Sequence, residues 1–279
     1  TTNLFDGIPG YPVIYWLSER SSEAFRLPKA EDFFVAKKGM ATGNNDQFLR
    51  AWHEVSWGST SVTASSETDT ADRTWYACLN GGTFRKWFGN NEYVVNWRNA
   101  GEQPKGAITA RTGDHWSRYI ISTDFFFREG MNWSDISTES FSARFHPNGF
   151  AFTSVTMAAF PRENGVWDVL ALSNSKVGTH FLRALSPSLH FGIGEFKKLP
   201  VTDYLDHDWN LATCDNLIAF ARSDWDSFET SWNFTMLTLL QPDHRADTLE
   251  DTYTSIRAHW HAMTDEMQRL EEENNRIFI

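Results

Sequence analysis

The most regular alternation of apolar and polar positions lies at the C-terminal end of the chain. Leu249, Tyr253, Ile256, Trp260, Met263, Met267 and Leu270 alternate spacings of four and three, Asn274 takes the next position, and Ile277 falls seven beyond Leu270. This heptad seam predicts a long helix over 247–277 packed on another helix, within the chain or in another subunit. An Asn in such a seam can specify pairing at some cost in stability. A second helical pattern, with apolar residues at 166, 169, 170, 177, 181, 182 and 185 and Pro187 just beyond, predicts a helix over 166–185. A third helix is expected over 208–222, and a fourth over 10–26, where Pro12 suits a first turn and positions 13, 14, 17 and 25 share a face.

Between 72 and 160 the rhythm changes to short β-like runs separated by Gly, Pro and Asn: Tyr93–Trp97, Ser117–Ile121, Asp124–Phe127, Phe141–Phe145 and Phe150–Phe152. His146-Pro147-Asn148-Gly149 reads as a hairpin turn, Phe33–Ala36 as a short strand, Phe48–Trp57 as another, and 58–72 as a mobile polar loop. The fold class expected is α+β: a twisted antiparallel sheet or partial barrel flanked by helices. Residues 1–200 form the β-rich unit with its closing helix 166–185, and 201–279 form an acidic helical region. Within that region Trp225 and Trp232 are expected to pin the segment onto the core.

Two stretches break these rhythms. Lys37 to Arg50 (KKGMATGNNDQFLR) and Gly81 to Asn91 (GGTFRKWFGNN) each combine glycines, paired cations and paired asparagines, the second with aromatics between. Arg, Lys and Asn are the side chains that pair with phosphates and base edges, and Trp or Phe can stack on bases. The simpler reading is two glycine-rich turns, and recurrence of the same chemistry favours a nucleic-acid surface.

Charge qualifies that reading. The chain of 279 residues has a formal net charge of −11. The balance is −4 over 1–72, +4 over 73–200 and −11 over 201–279. Any nucleic-acid surface is therefore local and in the first two thirds, with the acidic third turned away from phosphates or toward protein. Thirteen Trp and 22 Phe are more than a core of this size ordinarily carries and suit a β-rich interior. No apolar run approaches the ~20 residues needed to span a bilayer, and residues 1–10 lack a signal-peptide pattern, so a cytoplasmic protein without membrane attachment is expected. Cys78 and Cys214 have no metal-type spacing, and neither His259/His261 nor Asp206-His207-Asp208 completes a ligand set. There is no nucleophile elbow, and tryptophan-lined carbohydrate binding is disfavoured by the missing secretion signal.

The strings GMATGNNDQFLR and NGGTFRKWFGNNEYVVNW, with GMNWS at 130–134, SARF at 142–145, LSNSKV at 172–177, ARSDWDSFETSW at 221–232 and EEENNRIFI at 271–279, resemble one known family. They are similar to the C-terminal target-recognition region of the adenine-N6 DNA methyltransferases of BREX phage-defence systems, and more distantly to recognition domains of restriction-modification enzymes. Asn174-Ser175-Lys176 likewise resembles the helix closing recognition domains of type I specificity subunits. The resemblance implies sequence-specific duplex DNA binding for a methyltransferase that uses S-adenosylmethionine. The chain has no Pro-Pro dipeptide, so the Asn/Asp-Pro-Pro-Tyr/Phe motif is missing, and Gly192-Ile193-Gly194 is a lone Gly-x-Gly. The resemblance thus implies a recognition half, not itself an enzyme, that takes no cofactor or metal of its own and serves a catalytic methyltransferase domain elsewhere. On that reading Lys37, Lys38, Arg50, Lys197 and Lys198 anchor phosphates, and Thr42, Asn44, Asn45, Arg85, Lys86, Asn90 and Asn91 approach base edges. Arg98, Arg111, Arg118 and Arg144 on the sheet add further contacts. Replacing Arg85 and Lys86 is then expected to cost DNA affinity and no stability. The alternative is a protein-interaction module that docks other defence-complex subunits through the C-terminal helix; a phage DNA-mimic inhibitor is a further partner for the basic surface.

Overall fold

The computed structural model describes residues 14, 16–138, 140–163, 167–186, 188–201 and 207–278. In chain order the elements are α1 (Glu19–Ala24), α2 (Ala30–Phe33), β1 (Phe34–Lys38), α3 (Asn45–Phe48), β2 (Leu49–Ala51), β3 (Thr60–Ser61), β4 (Trp75–Leu79), β5 (Tyr93–Asn96) and α4 (Arg98–Thr112). There follow β6 (Gly130–Ser134), β7 (Ala143–His146), β8 (Ala151–Phe152), β9 (Thr156–Pro161), α5 (Trp167–Asn174), α6 (Lys176–Leu185), α7 (Ile193–Lys197), α8 (His207–Asp226) and α9 (Leu249–Ile277). The class is α+β, as expected. Several boundaries differ from the sequence pattern, each for a local reason.

The first sheet is antiparallel throughout, in the order β1-β9-β6-β7. The second runs β2-β5-β4-β3, with β8 following β3 along the same side of β4; its β3 and β8 pairings are parallel. The two sheets do not close into a barrel. Strand alternation assigns their faces. From the first sheet Met131, Trp133, Ala143, Phe145, Met157 and Ala159 join the cluster that receives α5 to α9. Ala158 and Phe160, one position out of step, join the cluster of the second sheet and α4. The first sheet is therefore sandwiched between a helical layer and the second sheet.

The expected strands at 117–121 and 124–127 are absent. Positive φ at Ser122 (62°) and Phe127 (67°) breaks extended backbone, and 3₁₀ turns at Trp116–Arg118 and Thr123–Phe125 carry Ile120, Phe126 and Phe127 into the second core instead. His146–Gly149 is not a hairpin: β7 lies in the first sheet and β8 beside β4 in the second, so this turn carries the chain between sheets. The 58–72 segment is built of 3₁₀ turns around β3. The 48–57 strand shortens to β2 and passes into a 3₁₀ turn.

The helix expected at 166–185 is two, α5 and α6, divided at Ser175. Its Oγ accepts a bond from the Gly178 amide at 2.9 Å, the N-cap of a new helix. The helix expected over 10–26 is only α1, capped by Ser18; residues 10–13 and 15 lie outside the described residues. In α9 the heptad seam is satisfied over its C-terminal half: Leu270 is buried in the first core and Asn274 donates to the Ala171 carbonyl of α5 at 3.0 Å. The partner of that half is intramolecular. In the N-terminal half Ile256 is buried but Leu249, Tyr253 and Trp260 are exposed. Trp225 is buried in the first core and Trp232 stacks on Phe150 at 5.7 Å, so both pin the acidic segment.

Candidate nucleic-acid interface

The two polar stretches take opposite positions. The first leaves β1, whose Lys37 and Lys38 are strand residues, and turns at Gly39. A Cβ there would meet the carbonyl oxygens of Phe152 and Thr153 at 2.3 Å, so this glycine answers a backbone contact within the fold. Beyond it Thr42 is buried and donates to Asn45 Oδ1, while Asn44 caps α3 by accepting from the Gln47 amide at 3.2 Å. Asn44, Asn45 and Gln47 stay exposed. Arg111, in the last turn of α4, donates to the Gly43 carbonyl, and the Ala41 amide bonds the Tyr119 carbonyl at 2.9 Å. These bonds bring Arg111 and Arg118 beside the loop, Arg118 paired to Asp114 at 2.8 Å. Lys37 lies over the Phe125 ring at 4.5 Å and Arg128 over the same ring at 4.9 Å. Reading Asp124–Phe127 as a strand leaves Arg128 unnoticed; the Phe-Arg adjacency at 127–128 was the available signal.

Register fixes where this cluster sits. Lys38 pairs with Met157, and Ser134 pairs with Thr156. The last residues of β1 and β6 and the first of β9 therefore lie at one end of the first sheet, with β1 and β6 ~10 Å apart. Loop 39–48, the exposed Val155 turn and the segment after Ser134 all emerge there. So does the start of the second stretch: the Gly81 amide bonds Thr156 Oγ1 at 2.7 Å, and Ser134 Oγ bonds the Gly82 carbonyl at 3.2 Å.

From Arg85 onward the second stretch turns inward, which corrects the assignment of its residues to base edges. Arg85 forms an ion pair with Asp224 of α8, lies 5.1 Å from the Trp225 ring and donates Nε to the Phe88 carbonyl at 3.2 Å. Lys86 pairs with Glu271 of α9 at 3.2 Å, and the indole of Trp87, fully buried, bonds the same carboxylate at 2.8 Å. The Trp87 backbone bonds Ala143 and Phe145 at 2.8 Å each, covering the outer edge of β7 together with the Asn174 side chain. Asn90 is buried and bonds the Thr83 carbonyl at 2.9 Å; Asn91 is buried too. Arg144 is fully buried, because alternation in β7 turns it toward the second sheet. There it reaches Asn132 Oδ1, the Arg85 carbonyl and Ser134 Oγ at 3.2–3.3 Å. Burial, with the Arg85 charge adding to it, pulls its pKa down to about 10. His146, two positions on, is pushed down to about 3 by burial and stands neutral, 3.3 Å from Asn132 Nδ2.

The remaining candidates are scattered. Lys197 and Lys198 close α7 near Lys29–Ala30, at the other end of β1 from Lys38. Arg98 is at the opposite end of α4 from Arg111, ahead of the left-handed residues Asn99–Gly101 that break the helix there, and not on the sheet. Arg50 lies in β2 and bonds the Leu49 carbonyl at 2.8 Å. The structure thus gathers Lys38, Asn44, Asn45, Arg111 and Arg118 around loop 39–48, with Lys37 and Arg128 meeting over the Phe125 ring.

No family model matches the chain. Among curated proteins it is 37% identical over 282 residues to an adenine-specific methyltransferase PglX of Lacticaseibacillus casei (strain Zhang), covering 99% of this chain and 23% of that protein. It is 34% identical over 245 residues to an adenine-specific methyltransferase BrxX of Escherichia coli O9:H4 (strain HS), covering 86% of this chain and 19% of the relative. Over nearly its whole length the chain is thus similar to one part of the BREX adenine methyltransferases PglX and BrxX. It spans about a fifth to a quarter of the length of these relatives. Among solved structures, the type IIL restriction-modification enzyme MmeI, in complex with DNA, matches at a TM-score of 0.43 and 11% identity, over 88% of this chain and 32% of that one.

The Gly-x-Gly at Gly192–Gly194 opens a short helix. Gly192 has ordinary extended backbone (φ −77°) and caps the five-residue α7, and a Cβ added at Gly194 would meet nothing within 4 Å. The described residues include no helix long and apolar enough to cross a membrane.

Proposed function

We propose that this chain is the part of a PglX-type methyltransferase that reads duplex DNA, and that the face formed by Lys37, Lys38, loop 39–48, Arg111, Arg118 and Arg128 meets the duplex. The observation that carries the reading is convergence. The end of β1, α4 and the turn at 116–118 bring Lys38, Arg111, Arg118 and the exposed amides of Asn44, Asn45 and Gln47 together around loop 39–48, with Lys37 and Arg128 meeting over the Phe125 ring, in a chain whose net charge is −11. Cations on such a face take phosphates, and the amides are short enough and polar enough to test base edges in a groove. Adenine methylation, and the S-adenosylmethionine it consumes, is assigned to the remainder of the larger protein. The recognition face would hold a duplex from which that part extrudes its adenine.

The test is fluorescence anisotropy of this chain with a pool of random duplexes over a salt series, with sequencing of the retained fraction. Enrichment of a motif, and a several-fold weaker affinity for Lys38→Ala at an unchanged melting temperature, are expected. Its salt slope should fall by ~1 if Lys38 meets one phosphate. Equal affinity of Lys38→Ala and the parent chain would remove the face from the reading. A second reading is favoured by one feature: Leu249, Tyr253 and Trp260 leave half of the α9 seam exposed, beside exposed Leu237 and Leu240. This is the surface through which an interaction module would dock other subunits, and a chain truncated before residue 247 would then lose its partner while keeping DNA.

A further inference from the structure

A groove of ≈ 930 Å³ opens between α6 and residues 137, 138 and 140 on one side and 186, 188, 189 and 191 on the other. Its cations are Lys86, Lys176 and Arg183, joined by His180; seven serine and threonine hydroxyls line it, and no carboxylate does among the described residues. The neighbouring groove of ≈ 670 Å³ shares Lys86 and Lys176 but includes Asp224, Glu271 and Glu272. In so acidic a chain, a groove whose described lining offers cations and hydroxyls and no carboxylate is a local departure from the average, even with Lys86 held by Glu271 at its border.

The cationic side of α6 is regular. Its buried residues are Gly178, Phe181, Leu182 and Ala184. Lys176, Thr179, His180 and Arg183 recur at i, i+3, i+4 and i+7, so they form a stripe on the opposite side. Lys176 and Arg183 are both exposed, and their positions are ~10 Å apart along the helix axis. That matches the axial rise of about three nucleotides of one DNA strand. Burial holds His180 below the usual imidazole range, and its ring packs edge-on to exposed Trp16 at 5.0 Å, so it offers hydrogen bonds more than charge. The groove also continues the proposed reading face. Ser137 and Ser140 follow Ser134, the β6 residue that ends beside Lys38 and loop 39–48.

We propose that the α6 groove is a second anchor for the duplex, holding the backbone phosphates of one strand through Lys176, Arg183 and the hydroxyls of Ser137, Thr138 and Thr179. The inference rests on the DNA-reading function above. It divides the work: loop 39–48 probes base edges while the α6 stripe fixes register without sequence preference.

The experiment is anisotropy of a fluorescein-labelled random 30-base-pair duplex pool with the parent chain, Lys38→Ala, the pair Lys176→Ala with Arg183→Ala, and the charge-keeping pair Lys176→Arg with Arg183→Lys. Titrations run between about 50 and 200 mM salt, alongside thermal melts. The alanine pair is expected to weaken binding at least tenfold and to lower the salt slope by ~2, for all sequences alike, while the charge-keeping pair retains the parent slope. If the alanine pair unfolds, Lys176→Gln with Arg183→Gln is read in its place. Unchanged affinity and slope in the alanine or glutamine pair, with Lys38→Ala weakened, overturns the groove and leaves the reading face standing. Absence of binding by the parent chain at the lowest salt overturns both. Displacement of the duplex by polyglutamate from the parent and from Lys38→Ala, but not from the alanine pair, would assign the groove to an acidic protein and overturn its role on DNA.

Discussion

Stretches 37–50 and 81–91 have nearly the same composition and opposite fates. The first stays at the surface: its amides are exposed, and its neighbours Arg111 and Arg118 hold the loop and the Asp114 turn. The second is captured by helices far away in sequence, Arg85 by Asp224 and Lys86 with Trp87 by Glu271. The difference is made by the acidic third of the chain. Its carboxylates turn two apparent DNA contacts into the seam that fastens α8 and α9 to the edge of the first sheet. A half-buried cation held by a carboxylate is less available to phosphate than an exposed one, and half-buried pairs of this kind are held by packing as much as by charge.

Three experiments strain that comparison. The largest effect is expected from Trp87→Ala, which empties a fully buried site and orphans a bond to Glu271. A loss of ~3–5 kcal/mol in urea unfolding is expected, against under ~0.5 kcal/mol for Lys38→Ala in the outward stretch. Equal losses would mean that both stretches are surface turns. Next comes pH. His146, with Arg144 and Asn132, belongs to the buried polar layer beneath the inward stretch, and its folded pKa is about 3 against 6.5 for the free imidazole. Below pH 6.5 the unfolded chain binds a proton that the folded chain refuses. Stability is therefore complete above that pH and falls by ~1.4 kcal/mol per unit as pH drops toward 3, amounting to ~3 kcal/mol at pH 4. His146→Gln should flatten this part of the stability profile measured by denaturant titration, and an unchanged profile would place the acid sensitivity elsewhere. The smallest effect is a double-mutant cycle of Arg85→Ala and Asp224→Ala. A coupling of ~0.5–1 kcal/mol is expected for this partly exposed pair, with DNA affinity unchanged within twofold. A several-fold loss of affinity without coupling would return Arg85 to the DNA-contacting set.

The heptad spacing from Leu249 to Ile277 was legible because helix periodicity is local, and α9 begins and ends where that spacing does. The β-rich middle was legible as a class, since short β-prone runs between turn residues leave few alternatives. Its strands were less so. The run Phe125-Phe126-Phe127 has the composition of a strand, yet one left-handed residue, Phe127, sends the aromatics into the second core as a turn. The break at Ser175 was hidden because apolar spacing continues across it. The reading loop at 39–48 was visible as a polar interruption, and Arg111 and Arg118 were named as candidates; that they meet the loop depends on α4, a helix the pattern did not show.

By itself the sequence determined the chemistry on offer: a long amphipathic helix, an aromatic-rich α+β core, two glycine-asparagine-cation stretches and an acidic final third. Those features depend on residue type and short spacing. Which stretch faces outward was decided only in three dimensions, because strand alternation buries Arg144, pairing brings β1 and β6 to one end, and carboxylates from α8 and α9 claim Arg85 and Lys86. Burial and ion pairing are properties of neighbours, and here those neighbours lie 139 and 185 residues along the chain.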